Sequence, residues 1–307
     1  MNSSKRYKSI TAAIADLSPK AEARAVTQVV SNGAGAYSAG FVSALVDGGK
    51  LAKFCNQIVV KAASAVVDVL SPTVALPVGS VPGTIGTASD STAVLTGTAL
   101  TLKPWHSTLS VSQGALLSGS FAAQYPGIVA RAFGGAIDKA VCVGTGAGSD
   151  MLGVFVADNA GIPAGSDVVC AGAGAPKLAD LVNIVEQVLA LGADPATTAL
   201  ILNPTFIKNC LVETTAGMTG LQIELATKGS IGGIQVVGSS YAPSATVAGS
   251  YVAVAIDLQG YALVMHQAEP EVDSILTAGT DGVTFDAWVY MQGKPLVGNF
   301  ARRLKTV

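Results

Sequence analysis

Three places in this sequence carry residue types whose chemistry could exceed the structural. The first is the run from Val143 to Phe155, with glycines at 144, 146 and 148 followed by Asp150. Loops that cradle phosphate put their glycines after a strand and before a helix, so that backbone N–H groups and a helix N-terminus face the anion. Here a helix-like pattern runs into Gly144, and the lysine of a nucleotide loop is missing. The stretch therefore reads as a tight exit from a helix that calls for left-handed backbone. The second place is Ala268–Ser274, where Glu269, Glu271 and Asp273 fall on one face of an extended chain. Three such carboxylates can hold a hard cation. They equally suit a solvated or salt-bridged strand edge. The third is the pair of histidines, His106 and His266. A serine triad needs one of them beside an activated serine, and no GxSxG elbow occurs. His106, next to Trp105, reads as a strand or surface residue. Cysteines 55, 142, 170 and 210 form no CxxC pair, which fits free thiols in a reducing compartment, not a disulfide framework or a zinc site. No cofactor or metal is expected, and the chain does not read as an enzyme.

Composition points to self-association. Half of the 307 residues are hydrophobic and 12% are charged, about half the usual share of roughly 25%. Mean hydropathy is +0.51. A membrane helix needs about 18 consecutive apolar residues; the best stretch, 54–72, is cut by Lys61 and Asp68 and ends at Pro72. No membrane partner is expected. The remaining explanation is a chain that covers much of its surface with copies of itself. A net charge of −2 argues against strong attraction to nucleic acid, although Lys5, Arg6, Lys8, Lys20 and Arg24 make one end locally basic, and Arg302, Arg303 and Lys305 the other. The apolar stretch after Lys8 stops at Asp16, too early for a signal-peptide core of about 7–15 residues.

The elements that must position these residues are α and β mixed. Residues 1–55 read as an extended, partly helical arm, with Ala25, Val26, Val29 and Val30 on one face and Gly33 as a stop. Alternation at Val74, Leu76 and Val78 and again from Val94 to Leu102 marks strands. Between them, 79–92 is rich in Gly, Ser and Thr with a single charge at Asp90, so it should project as a long hairpin, and Ser80, Gly83, Gly86 and Ser91 become candidate contact residues. A helix over about 122–143 follows, with Pro126 near its first position and Val129, Phe133, Ile137 and Val141 at spacing four. A second helix spans 175–192, carrying Leu178, Leu181, Val182, Val185, Val188 and Leu189. Residues 197–203 read as a buried strand and 204–212 as a short proline-led helix. Residues 250–266 read as a hairpin turning near Gln259-Gly260, and Val283, Phe285, Ala287, Val289 and Met291 share one strand face.

In this order the segments resemble the major capsid proteins of tailed bacteriophages, the Hong-Kong-97-type fold. The resemblance rests on residues 100–117 (LTLKPWHSTLSVSQGALL), 136–155 (AIDKAVCVGTGAGSDMLGVF), 199–221 (ALILNPTFIKNCLVETTAGMTGL) and 231–243 (IGGIQVVGSSYAP). It implies an α+β chain with an N-terminal arm (1–55) and a peripheral domain whose first part (56–144) holds an extended loop (about 72–103) and the spine helix. An axial domain (145–245), a peripheral sheet (246–292) and a C-terminal strand and tail (293–307) would follow. The resemblance also implies hexamers and pentamers of the chain closing into an icosahedral shell. That shell would enclose double-stranded DNA through weak, non-specific contact, with a portal as partner. The product would be a virion capsid assembled in the host cytoplasm. The glycines at 144–148 would mark the exit from the spine helix. Ser80, Gly83, Gly86, Ser91, Glu269, Glu271 and Asp273 would lie at assembly contacts.

Two departures from the family pattern matter. Only about 55 residues precede the β region, so a built-in, cleaved scaffold is not expected and a separate scaffold or decoration protein is an open partner. No lysine occurs between Lys61 and Lys103, so the extended loop has no donor for the covalent crosslinks of some members. An encapsulin-type compartment shell is the alternative, and an enzyme built on the Glu269/Glu271/Asp273 cluster the more distant one.

Overall fold

The computed structural model describes residues 4–7, 49–60, 64–70, 95–112, 120–148, 150–156, 161–162, 164–172, 174–213, 219–266, 271–276, 282–296 and 300–307. The arm helix around 20–33, the strand expected at 74–78 and the hairpin tip at 79–92 lie outside them. Ser80, Gly83, Gly86, Ser91 and Glu269 do as well.

The first sheet is built on the long strand β13 (Gly282–Pro295). One side of β13 pairs with β5 (Lys103–Ser112); the other pairs in turn with β12 (Glu271–Leu276) and β11 (Tyr261–His266). Outside these lie β1 (Ser4–Tyr7), antiparallel to β12, and β2 (Asn56–Val60), parallel to β11. Along β5 half-buried and exposed residues alternate strictly, as expected of a strand with one face on a core. The expected face of β13 holds where its side chains are described: Ala287, Val289 and Met291 are buried.

Helix α1 (Ser120–Val143) packs on that inner face. Val129, Phe133, Ile137 and Val141 are all buried, so the spacing of four marks its core stripe. The helix starts earlier than Pro126 implies: proline is its seventh residue, not its first. Proline inside a helix removes a single backbone hydrogen bond, and packing of the later turns outweighs it.

The second sheet runs β6 (Asp167–Val169), β14 (Ala301–Lys305), β10 (Tyr251–Asp257), β7 (Thr198–Leu202), β9 (Ile234–Gly238), β8 (Ser230–Ile231). One face carries α2 (Leu178–Ala190), and α3 (Pro204–Val212) and α4 (Thr219–Lys228) complete that layer. Leu178, Leu181, Ile184, Val185 and Val188 of α2 meet Leu200, Leu202, Ala253, Ala255 and Leu304 there. The other face gives Ala199, Ile201, Val254 and Ile256 to the core shared with α1 and the first sheet. Covered on both faces, all five residues of β7 are buried. The proline-led helix is α3, capped by Asn203, whose side chain accepts the Thr205 N–H.

The hairpin expected at 250–266 does not form. Strand β10 pairs with β7 and β14, whereas β11 pairs with β13 and β2. A short 3-10 turn, Leu258–Gly260, carries the chain from one sheet to the other, with Asp257 accepting the Gln259 N–H. Residues 246–292 therefore contribute strands to both sheets, β10 to the second and β11, β12 and β13 to the first. A turn signal between apolar runs is common to hairpins and crossovers. The distinguishing sign is that β10 and β11 each bury five consecutive residues, where a hairpin with one solvated face would alternate.

Candidate functional site

The glycine run after α1 uses its own backbone donors. Gly144 N–H bonds Ala140 O (2.9 Å), Thr145 N–H bonds Asp150 Oδ2 (2.7 Å), Gly146 N–H bonds Met151 O (2.8 Å) and Ala147 N–H bonds Thr145 Oγ1 (3.3 Å). No fan of N–H groups from 144–147 is left for a phosphate. Gly146 and Gly148 take positive φ, +72° and +60°, as a tight exit requires. Gly144 serves a different need: a Cβ there would sit 2.3 Å from the Met151 carbonyl oxygen. The loop is stitched to the first sheet by Leu152 N–H to Gly293 O (3.0 Å) and by the buried Tyr261 hydroxyl, which donates to Leu152 O (3.0 Å). Burial also raises the Tyr261 pKa well above the ordinary phenol value.

Strands β3 (Ser64–Leu70) and β4 (Leu95–Thr101) form a separate two-stranded antiparallel ribbon, paired from Ser64–Thr101 to Leu70–Leu95. The 71–94 segment that joins them carries Ser80, Gly83, Gly86 and Ser91. The foot of the ribbon is plugged into the first sheet: Leu100 and Leu102 pack with Ala262, Val264, Ile58, Val60 and Leu296.

Glu271 and Asp273 lie on β12, between β1 and β13, so the acidic strand is interior to the sheet and not the edge that its charge suggested. Pairing on both sides fills its backbone groups. Asp273 is in register with Arg6 and Asp286, and Glu271 with Trp288. On the same outer face Thr108 Oγ1 donates to Asp286 Oδ1 (2.5 Å), and His106 stacks on Trp288 with centroids 4.9 Å apart. His266 meets Tyr290 edge-on at 6.4 Å. The described residues contain no group of three His, Cys, Asp or Glu able to hold a metal ion, and no described helix is long and apolar enough to cross a membrane.

Two polar clamps were not legible in the sequence. Asp138 of α1 is buried and accepts N–H groups from Lys50 (2.7 Å) and Leu51 (2.9 Å), which fastens the segment before β2 to the helix. Desolvation raises its pKa against those hydrogen bonds. Gly49 is required beside it, since a Cβ there would sit 2.9 Å from Asp138 Oδ1. In the basic C-terminal run, Arg303 is fully buried. Its Nε donates to Asp167 Oδ1 (2.9 Å), Nη2 lies 2.8 Å from the same oxygen, and Nη1 donates to Val156 O (2.7 Å). The Tyr251 ring lies 4.1 Å from Cζ and its hydroxyl donates to Asp167 Oδ2 (2.7 Å). This arginine is a structural ion pair, not part of a nucleic-acid patch. All four cysteines are free and buried. Burial pushes the Cys142 and Cys210 thiols up to about 12 and Cys170 to about 11, and raises Cys55 further.

A spine helix on a long sheet, a glycine exit into a second α/β layer and a separate strand ribbon define a capsid-type shell subunit of the Hong-Kong-97 fold. Solved capsids share it. The capsid of a native GTA particle, reconstructed with C5 symmetry, matches with a TM-score of 0.60 at 18% identity over 85% of this chain and 90% of that one. A structure of Mycobacterium phage Bobi gives 0.53 at 15% identity, covering 85% and 91%. The SrpI encapsulin complex of Synechococcus elongatus gives 0.54 at 11%, covering 83% and 86%. No curated protein sequence matches the chain. The chain belongs to the phage capsid family, whose model matches residues 36–301. It is a major capsid protein, a structural component of an icosahedral shell.

Proposed function

We propose that copies of this chain assemble into hexamers and pentamers that close as a phage head around double-stranded DNA, in the host cytoplasm. A portal would occupy one vertex, and a separate scaffold or decoration protein remains compatible with the chain. In this reading the first sheet and α1 form the peripheral domain. The second sheet with α2, α3 and α4 forms the axial domain, to which β10 and β14 also belong. The observation that carries the reading is the β3–β4 ribbon. A two-stranded ribbon is marginal on its own in water, and what the described residues show packed against the first sheet is its foot, at Leu100 and Leu102. A neighbouring subunit is the natural support, and many copies of one weak contact add up.

Deleting Ser80–Ser91 tests this. Most of the deleted residues are small, and Val81 and Ile85 are the larger apolar ones among them, so little apolar burial is lost at about 25 cal/mol per Å². The shortened protein should stay soluble with native circular dichroism and fail to close shells. Normal shells, or a chain that no longer folds, would refute the assignment. The likeness to an encapsulin supports a second reading, a compartment shell loaded with protein cargo. Nucleic acid inside particles purified from infected or induced cells favours the phage head; a co-purifying enzyme favours the compartment.

A further inference from the structure

We propose that the outward face of α1, with Lys50 beside it, lines the inside of the shell and holds the phosphate backbone of packaged double-stranded DNA through Arg131 and Lys139. The proposal rests on the phage-head reading above and adds the surface and the residues that meet the DNA.

Charge is unevenly divided among the described residues. Residues 49–60 and α1 carry Lys50, Lys53, Arg131 and Lys139 against one carboxylate, Asp138. Residues 174–230, which hold the helix layer of the second sheet, carry Lys177, Lys208 and Lys228 against Asp180, Glu186, Asp194, Glu213 and Glu224. The net charge of −2 thus hides a basic region and an acidic one. Asp138 does not offset the basic region at its surface, because it is buried and spent on the N–H groups of Lys50 (2.7 Å) and Leu51 (2.9 Å). All four cations are exposed. Among the described residues none of them makes an ion pair; the pair found there is Arg303–Asp167. Lys50 Nζ donates to Gly238 O (3.1 Å) and stays charged at the surface.

The helix sets the spacing. With Val129, Phe133, Ile137 and Val141 turned to the core, Gly127, Ile128, Arg131, Ala132 and Lys139 are exposed on the other side. At 3.6 residues per turn, Arg131 and Lys139 lie about 80° apart around the axis and about 12 Å apart along it. A duplex presents about seven phosphates over 12 Å of its own axis, so both cations meet phosphate whatever the base sequence. Small residues keep the surface between them low. A Cβ at Gly127 would meet nothing within 4 Å, and one at Gly135 only the Tyr241 hydroxyl, at 3.8 Å. Tyr241 is itself 41% exposed, and its hydroxyl can donate to a phosphate oxygen at the rim. A folded protein is a poorer occupant. It binds through a cluster of large anchors, and Ile128 is the one large apolar side chain exposed on α1 among the described residues. Each copy supplies a weak contact, which a shell repeats many times.

The test compares two charge-matched variants of the full, unassembled chain. Arg131→Gln with Lys139→Gln alters the proposed face; Lys208→Gln with Lys228→Gln removes the same charge from the helix layer of the second sheet. Binding of a duplex of about 30 base pairs is followed by fluorescence anisotropy across salt. The α1 variant should bind about tenfold more weakly at low salt, with the slope of log K against log salt shallower by about 2, at roughly 0.9 per lost phosphate contact. The control should bind like wild type. Ala132→Lys, which adds a cation to the same face, should tighten binding and steepen the slope by about 1; it reads the face independently if the double variant does not fold. Wild-type binding by the α1 variant, an equal loss in the control, or no gain from Ala132→Lys would overturn the proposal. So would an α1 variant that binds DNA normally but no longer forms shells, which would make the face a protein contact. Particles from infected or induced cells separate the two readings: shells that hold protein cargo and no DNA end the phage-head reading and this proposal with it, whereas DNA-filled shells with an indifferent α1 variant end only the assignment of the face.

Discussion

Asp167→Asn isolates the buried ion pair that ties β14 to β6. The substitution preserves size, so packing around Tyr251 and Arg303 is retained. What it removes is the negative charge 2.8 Å from a guanidinium with no solvent exposure. Breaking a buried pair by deleting one partner costs about 3–5 kcal/mol, because the remaining charge is left uncompensated. The low end applies here: the Asp167 side chain retains 14% exposure, and Asn keeps one oxygen to accept from Arg303 or Tyr251. A loss of about 3 kcal/mol lowers the melting temperature by about 6 °C, taking roughly 2 °C per kcal/mol for a chain of this size. Differential scanning calorimetry of the unassembled protein measures it. The double variant Asp167→Leu with Arg303→Met should recover much of the loss, since apolar residues of similar size can replace a buried pair. An Asp167→Asn protein melting within about 1 °C of wild type would refute the account of Arg303 as a buried structural cation.

Further outcomes follow from the same geometry. Leu100→Ala with Leu102→Ala should cost several kcal/mol at the ribbon foot, at about 2–5 kcal/mol per buried leucine; hydrogen exchange should show it as faster exchange in β3 and β4 while α1 stays protected, and uniform loss of protection would contradict a local anchor. The four thiols should resist Ellman's reagent at pH 8 in the folded protein, since burial holds them protonated, and all four should react in denaturant; rapid labelling of the native chain would contradict their placement. Asp138→Asn keeps one acceptor and loses the other, costing about 1–3 kcal/mol. Because the folded pKa of Asp138 lies above its ordinary 3.8, ionisation costs the wild-type fold stability as pH rises through that window. The melting gap between wild type and Asp138→Asn should therefore be smallest at neutral pH and widen on acidification toward 3.8; a gap that narrows would reverse the assigned sign.

Local pattern made much of this fold readable. The stripe Val129, Phe133, Ile137, Val141 located α1, and Pro204 after Asn203 located α3, because helix periodicity and capping are properties of neighbours in sequence. The failures involve partners far apart in the chain. Whether Tyr251–His266 folds as a hairpin or crosses between sheets depends on β7, β14, β13 and β2, none of them adjacent. The acidic strand 271–276 looked like an edge because charge favours edges, yet β1, more than 260 positions earlier, covers it. Asp138 and Arg303 gave no signal, since a lone carboxylate or guanidinium reads as solvated until its buried partners are known. The proposed contact residues at 79–92 rest on composition alone: a stretch rich in Gly, Ser and Thr whose one charge is Asp90.

The central claim is that this chain is the repeating unit of a closed shell in which each ribbon rests on a neighbour. Cryo-electron microscopy of the purified full-length protein tests it most directly. The expected result is an icosahedral particle of hexamers and pentamers with the β3–β4 ribbon of each copy lying against the next subunit. A monodisperse monomer across protein concentration and salt, or shells in which the ribbon touches no other copy, would contradict it.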